Sequence, residues 1–135
     1  MLKALSLLQP WASLAVMGYK TIETRSWTTS YRGILLIHAS KGKGGATIAE
    51  LPSIKIYIPE FKALPFGAII GEVCLKEIVR VADLNLLQEV LDRMSLEERA
   101  FGNAHGARFG WIFQDPVIYD PVIPAKGALG LWDAG

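Results

Sequence analysis

The chain has 135 residues, of which 51% are hydrophobic and 20% are charged, as expected for one globular domain with a single core. Lysine and arginine number 14 and aspartate and glutamate 13, so net charge gives no argument for nucleic-acid binding and any electrostatic signal must be local. The longest uncharged run, residues 4–19, contains polar residues and falls short of the ~20 apolar residues of a spanning helix, which argues against a membrane protein. The single cysteine, Cys74, excludes an internal disulfide and a zinc site built on several thiolates, and we expect a cytoplasmic protein.

The hydrophobic pattern predicts one short helix and a series of strands. After an apolar run over residues 2–8, Pro10 is placed to open the helix, and Gly18 suits its C-terminal cap, where a positive φ is needed. The predicted elements are, in chain order, a helix over residues 11–17 and strands over residues 21–27, 33–40, 67–81, 109–114 and 128–132.

Three other segments have a less regular pattern. Residues 41–65 read as a long irregular connection in which only residues 54–58 alternate as a strand would. Asp83 is a candidate cap for an amphipathic helix, and a second short helix is predicted from Ser95 to about Gly102. Residues 116–124 are bounded by prolines and are expected to be extended.

Five or six strands with inserted rather than regularly alternating helices are not typical of a doubly wound sheet. They favour an α+β fold, a small, partly open β-barrel with two or three peripheral helices. No internal repeat and no linker divides the chain, so residues 1–135 are predicted to form a single domain.

The positive charge is concentrated in the first half of the chain. Residues 1–67 carry eight lysines and arginines against three acids, whereas residues 68–135 carry six against ten. Cations interleaved with aromatic rings suit a site for phosphates and unpaired bases; here they are Lys20, Arg25, Trp27, Tyr31, Arg32, His38, Lys41 and Lys43. The alternative is a solvated basic face whose aromatic rings belong to the core.

Individual side chains in this region allow both structural and functional interpretations. Glu23 and Arg25 share one strand face, so they can form an ion pair, or Glu23 can act as a general base or accept from a base edge while Lys20 meets an anion. His38 shares a face with Ser40, yet no acid lies near in sequence to complete a nucleophilic triad, and a lone strand histidine is more often a core residue.

Two glycine-rich segments and the cysteine are open to the same two interpretations. The loop over residues 41–45 could bind phosphate but lacks the spacing of a Walker loop, and the pattern favours a flexible surface loop. His105 and Arg108 lie in a second glycine-rich loop that could close over a ligand. Cys74 is expected to be an inert thiol in an apolar strand.

Several spaced motifs together resemble the ASCH family. They are the runs Gln9-Pro10-Trp11-Ala12, Gly18-Tyr19-Lys20-Thr21-Ile22-Glu23-Thr24-Arg25-Ser26-Trp27, Tyr31-Arg32-Gly33, Ile37-His38-Ala39-Ser40 and Gly127-Ala128-Leu129-Gly130-Leu131-Trp132. The core Gly-x-Lys-x-x-Glu-x-Arg falls at Gly18, Lys20, Glu23 and Arg25, and the resemblance covers essentially the whole chain.

The resemblance implies a barrel similar to that of the PUA superfamily, whose members bind RNA or modified nucleic acid, with the motif lining a cleft between barrel and helices. It places these residues around one site: Pro10, Trp11, Lys20, Glu23, Arg25, Trp27, Tyr31, Arg32, His38, Ser40 and Lys41. The family also includes ribonucleases and amidohydrolases acting on N4-acetylcytidine. The threonine of the amidohydrolase pattern is displaced here by one residue to Thr24, and such a shift moves a strand side chain to the opposite face.

The sequence therefore favours a protein that binds single-stranded RNA, a nucleotide or a modified nucleoside in a basic, aromatic-lined cleft. The alternatives are a hydrolase that uses Lys20 and Glu23 without a metal, and a protein-interaction module in transcription or translation. No cofactor and no metal site is expected.

Overall fold

The protein is described by a computed structural model that covers residues 2–80 and 109–134. Six strands form one mixed sheet that curls into a half-barrel, with three short helices beside it, so the predicted partly open α+β barrel is confirmed. The strands are β1 (Lys3–Leu7), β2 (Ile22–Arg25), β3 (Gly33–Ala39), β4 (Ala68–Arg80), β5 (Phe109–Pro124) and β6 (Leu131–Asp133). The helices are α1 (Trp11–Val16), α2 (Ala46–Ala49) and α3 (Pro52–Lys55), and a 3-10 turn covers Phe61–Ala63.

The sheet has the strand order β2-β5-β4-β3-β1-β6. Strand β1 runs parallel to β3, and the other neighbouring pairs are antiparallel. Strand β6 covers β1 along Lys3–Leu5, and within the described part of the chain no strand pairs with the end of β1 at Ser6 and Leu7 on that side. This uncovered end of β1 becomes part of the candidate site.

Helix α1 packs on the concave face of the sheet, where the main core lies. Its residues Ala12, Ala15 and Val16 recur at helical spacing and join the buried strand residues in one hydrophobic cluster. The predicted cap at Gly18 is confirmed by a φ of 87°. The fully buried Gln9 stabilises the start of the helix, because its Oε1 accepts from the Ser13 amide at 2.9 Å while its Nε2 donates to the Pro65 carbonyl at 2.9 Å.

The connection between β3 and β4 differs from its expected strand-like pattern. Residues 54–58 are not a strand, because Pro52 occupies the start of α3 and the chain turns helically from there. Ile54 and Ile58 are buried while Ile56 is exposed, so the apolar spacing that matters is four residues and not two. The predictions for the helices after Asp83 and Ser95 and for the loop with His105 and Arg108 lie outside the described residues.

The segments predicted as residues 109–114 and 116–124 form one continuous strand, β5. Strand β2 pairs with β5 only along Phe109–Ile112, so the later part of β5 has an edge without a strand neighbour among the described residues. Proline lacks an amide hydrogen and is tolerated at such an edge, which explains how Pro116, Pro121 and Pro124 fit into a strand.

Candidate functional site

Lys20, Glu23 and Arg25 form a compact ionic triad at the start of β2. The Lys20 side chain is only 3% exposed, and its Nζ donates to the Ile22 carbonyl at 2.9 Å and lies 3.4 Å from Glu23 Oε1. Arg25 Nη2 lies 2.9 Å from Glu23 Oε2, so the predicted Glu23–Arg25 ion pair is present. Two cations around one carboxylate leave a net positive charge in a partly dry environment, where it is screened less than at the surface.

Arg25 links this triad to β1. Its Nη2 also donates to the carbonyl oxygen of Ser6 at 3.3 Å, at the part of β1 that β6 leaves uncovered. The Nε of Arg25 is buried and has no hydrogen-bond partner within residues 2–80 and 109–134. The guanidinium is therefore bound through its Nη2, which contacts both Ser6 and Glu23.

A cleft of about 880 Å³ lies beside Ser6, between the ends of β1 and β3 and the loop that leads to β6. Its lining is Ser6, His38, Ser40, Lys41, Gly67, Pro124, Ala125, Lys126, Gly127, Ala128 and Leu129. Lys41 and Lys126 are exposed cations, and among the described residues no aspartate or glutamate belongs to this lining. The cleft is consequently positive at its mouth and attractive to anions.

His38 is a buried residue of this cleft wall, and both of its ring nitrogens have partners. Its Nε2 lies 2.8 Å from the Ala125 carbonyl, which can only accept, so Nε2 carries the proton. Its Nδ1 lies 3.0 Å from Ser6 Oγ, and Trp132 Nε1 donates to the same hydroxyl at 3.3 Å. His38 thus anchors the loop after β5 and is buried, as the structural interpretation of this histidine expects, and it also lines the cleft.

Gly127 lets that loop approach His38 and Ser6 closely. A Cβ atom at this position would lie 2.6 Å from Ser6 Oγ and 2.6 Å from His38 Cε1. Because His38 and Ser6 are fixed by the hydrogen bonds just described, the wall of the cleft requires glycine here.

A second cavity, of about 370 Å³, borders the triad at Lys20. Lys20 is part of its lining, with Gly18, Thr21 and the segment Phe113–Pro116 of β5. Asp115 in that segment has a φ of 51° in the left-handed region, which is uncommon for a residue other than glycine. A continuous chain of contacts, Ser6 to Arg25 to Glu23 to Lys20, joins the lining of the cleft to the lining of this cavity.

A third cavity, of about 340 Å³, is largely apolar and lies between α1, the 3-10 turn and β5. Tyr119 lines it and donates a hydrogen bond to Glu72 Oε1 at 2.6 Å. Burial, followed by the hydrogen bond to Glu72 and its charge, raises the pKa of Tyr119 to about 12.

The other predicted site residues lie in supporting positions. Trp27 packs edge-on against Trp111, with ring centroids 4.8 Å apart, and Tyr31 donates to the Ile34 carbonyl. Arg32 is exposed and donates to carbonyls of its own loop. Pro10 is buried and Trp11 is half-buried at the start of α1. His38, Ser40 and Lys41 come together in the cleft, whereas Lys20 lines the second cavity and none of Trp11, Trp27 and Tyr31 belongs to either lining.

Sequence reasoning missed Ser6, Lys126, Gly127, Gln114 and Asp115. Ser6 and Lys126 are far apart in the sequence and reach the same cleft through the β1–β3 pairing and the loop before β6. Gly127 and Asp115 depend on a close approach and a backbone angle, which residue type alone does not reveal.

The described residues contain neither a metal-binding cluster nor a bilayer-crossing helix. Within residues 2–80 and 109–134, no three His, Cys, Asp or Glu side chains come together as metal ligands would. Across the same residues, no helix is long and apolar enough to cross a membrane.

Comparison with known proteins identifies the family. The ASCH domain profile matches residues 5–113, which is most of the chain. The chain belongs to the ASCH family.

Activating signal cointegrator 1 from Mus musculus is 58% identical over 134 residues, covering 95% of this chain and 21% of the mouse protein. Activating signal cointegrator 1 from Homo sapiens is 56% identical over 39 residues, covering 29% of this chain and 7% of the human protein. The chain therefore spans about a fifth or less of the curated relatives that it matches.

Solved structures of an ASCH protein from Zymomonas mobilis share the fold. The wild-type structure has a TM-score of 0.57 at 19% identity over 91% of this chain and 73% of that chain. A serine-to-alanine variant of the same protein has a TM-score of 0.58 at 19% identity, with the same coverage. The ASCH motif residues Lys20, Glu23 and Arg25 of this chain make the contacts that join the cleft to the second cavity.

Proposed function

We propose that this ASCH domain binds single-stranded RNA, or a nucleotide, with its phosphates in the cleft. The observation that carries the proposal is the pair of exposed lysines, Lys41 and Lys126, in a lining without a carboxylate. Phosphate neutralisation by such side chains supplies most of the affinity for a nucleic-acid backbone. The net positive triad next to the cleft adds to the attraction for an anion.

The side-chain stem of Lys41 lies against the backbone of Gly67. A Cβ at Gly67 would lie 2.9 Å from Lys41 Cε, so the stem of the lysine lies directly along the Gly67 backbone, with its ammonium group beyond it. Long cationic side chains commonly pack their stems in this way and keep the charge in water.

The test is fluorescence anisotropy of a labelled single-stranded RNA at several salt concentrations. Replacement of Lys41 and Lys126 together by alanine should weaken binding and reduce the salt slope by about 1.4, since each phosphate contact to a single strand contributes about 0.7. The matched control replaces Lys62 and Lys76, which are exposed and outside the cleft lining, so that the same charge is removed elsewhere. Equal slopes for the cleft variant and the wild-type chain would refute the proposal.

The same mixtures distinguish the hydrolase alternative. Mass spectrometry of the RNA after incubation shows whether it remains intact, and shortened products that are absent with Glu23→Gln would assign a catalytic role to the Lys20–Glu23 pair. In the structure the Glu23 carboxylate is paired with both Lys20 and Arg25. This arrangement suits the positioning of the two cations better than proton abstraction by Glu23.

A role in protein interaction is a second candidate, favoured by the name of the mouse relative, activating signal cointegrator 1. Because the chain spans a fifth of that protein, a partner of the whole cointegrator need not contact this domain. Stable capture of a defined protein by this domain, together with no RNA affinity at low salt, would favour interaction over RNA binding.

A further inference from the structure

We propose that the second cavity binds one nucleobase and that the carboxylate of Asp115 selects guanine. This inference rests on the proposed function, because it assigns a base to a strand whose phosphates occupy the cleft. Strand β5 lines this cavity, and its pairing with β4 is irregular there.

A β-bulge places Asp115 at the cavity. Glu72 pairs with Val117 and Cys74 with Gln114, so two steps along β4 correspond to three along β5. Asp115 is one of the residues within this bulge, and its φ is 51°. A bulge with a left-handed residue redirects a side chain out of the normal alternation of the strand, and such strained positions concentrate at functional sites.

The cavity has the chemistry of a base-binding pocket. Its buried residues are Ala15, Val73 and Phe113, which make part of the wall apolar, while Lys20 is the buried cation. Its exposed rim carries the polar side chains of Gln114 and Asp115, which can meet the edge of the ring. At about 370 Å³ the cavity is at the small end of the roughly 300–1,000 Å³ typical of ligand pockets, which suits one base and not a length of strand.

The donor and acceptor pattern favours guanine over the other bases. An aspartate carboxylate only accepts hydrogen bonds, and it accepts two in parallel. Guanine presents two adjacent donors on its Watson–Crick edge, N1–H and the N2 amino group, whereas adenine, cytosine and uracil each present one donor group there. The amide nitrogen of the neighbouring Gln114 supplies a donor for the guanine O6.

The contacts between the cleft and the second cavity fit an RNA strand that spans both. Ser6 lines the cleft and Lys20 lines the cavity, and the contacts from Ser6 through Arg25 and Glu23 to Lys20 run between them. The triad between them carries net positive charge, so a phosphate that connects the base to the strand would pass over an attractive surface.

The experiment compares four labelled eight-nucleotide RNAs that are all uridine except for one central position, which is guanosine, adenosine, cytidine or uridine. The wild-type chain should bind the guanosine strand about tenfold more tightly, within the discrimination expected of a bidentate contact. Asp115→Asn should remove that preference with an unchanged salt slope, because asparagine keeps the size and tolerates the left-handed region but replaces one acceptor by a donor. The Lys41→Ala/Lys126→Ala variant should show the reverse, with a lower slope and a preserved guanine preference.

Three results would overturn the inference while leaving RNA binding intact: equal affinity for all four strands, a preference for another base, or a guanine preference that survives in Asp115→Asn. Amide chemical shifts on titration with the four nucleoside 5′-monophosphates separate the remaining cases. If no strand binds but guanosine monophosphate shifts the Gln114 and Asp115 amides selectively, single-stranded RNA is not the ligand, whereas the nucleotide form of the proposed function and the base pocket both stand. If neither strands nor nucleotides bind, both proposals are wrong.

Discussion

Arg25 donates a hydrogen bond from the end of β2 to the carbonyl oxygen of Ser6 in β1, over a distance of 3.3 Å. Strand β2 is at one end of the strand order and β1 is next to the other end, so this contact crosses the open side of the half-barrel. The same guanidinium lies 2.9 Å from Glu23, which means that one side chain stabilises both the ionic triad and the closure of the barrel.

Replacement of Arg25 by alanine should therefore destabilise the domain. It removes a charge-assisted contact to Glu23 and leaves the Ser6 carbonyl without this donor, and we expect a loss of about 2 kcal/mol in the free energy of unfolding. Urea unfolding followed by tryptophan fluorescence measures this directly. Arg32→Ala is the control, because exposed Arg32 donates to carbonyls of its own loop and should change stability by less than about 0.5 kcal/mol. Similar midpoints for the two variants would contradict the closure role of Arg25.

Lys20 and Glu23 should be energetically coupled. Glu23→Gln leaves the buried Lys20 ammonium without its carboxylate and should cost about 3 kcal/mol, since removal of one member of a buried pair leaves an uncompensated charge. Adding Lys20→Met removes that charge, so the double variant should lose at least about 1 kcal/mol less than the sum of the single losses. Strictly additive losses in the double-mutant cycle would show that the two groups do not interact.

The sequence was sufficient to predict the elements whose residues alternate or recur locally. The helix that begins after Pro10, the cap at Gly18 and the Glu23–Arg25 pair depend on near neighbours, and the structure confirms them. The burial of Lys20 could not be predicted from its own segment. The sequence suggested a lysine that meets an anion, whereas in the structure its side chain is buried and its ammonium group contacts the Ile22 carbonyl and Glu23.

The geometry of the cleft and of the second cavity could not be predicted, because it arises from strand pairing between residues that are far apart in the sequence. Ser6 meets His38 through the parallel β1–β3 register, and Ala125 reaches the same imidazole from the far end of the chain. The bulge at Asp115 exists only relative to β4, so the pattern of β5 alone does not reveal it.

Gly127→Ala should perturb the cleft more than the core. The new Cβ would overlap Ser6 Oγ and the His38 ring, so the loop must move away and the His38–Ala125 hydrogen bond must lengthen or break. We expect RNA affinity to fall about tenfold or more, with a loss of about 1–3 kcal/mol in stability from the overpacked site. Gly130→Ala tests the same loop at a position where no atom lies within 4 Å of the new Cβ, although its φ of 66° also favours glycine. Equal RNA affinity for Gly127→Ala and the wild-type chain would show that the loop does not form the binding surface.

The Tyr119–Glu72 pair predicts a loss of stability at alkaline pH. The pKa of Tyr119 is raised to about 12 in the folded protein, from 10.0, by burial and by the Glu72 hydrogen bond and charge. A raised pKa favours the protonated folded state, so this contribution is complete below pH 10 and is lost as the pH rises towards 12. Absorbance at the phenolate band should show one late-titrating tyrosine, and Glu72→Gln should move it to lower pH. An unchanged titration in that variant would contradict the role of Glu72.

The left-handed conformation of Asp115 can be tested by stability alone, without a ligand. Valine is β-branched and is poorly tolerated at a φ of 51°, whereas asparagine adopts this region readily. Asp115→Val should therefore be less stable than Asp115→Asn by about 1–2 kcal/mol, although the side chain at this position is exposed and no packing is removed. Thermal unfolding of the two variants at one pH gives the difference. If valine is as stable as asparagine, the bulge relaxes without cost, and a rigid carboxylate is no longer available to read a base.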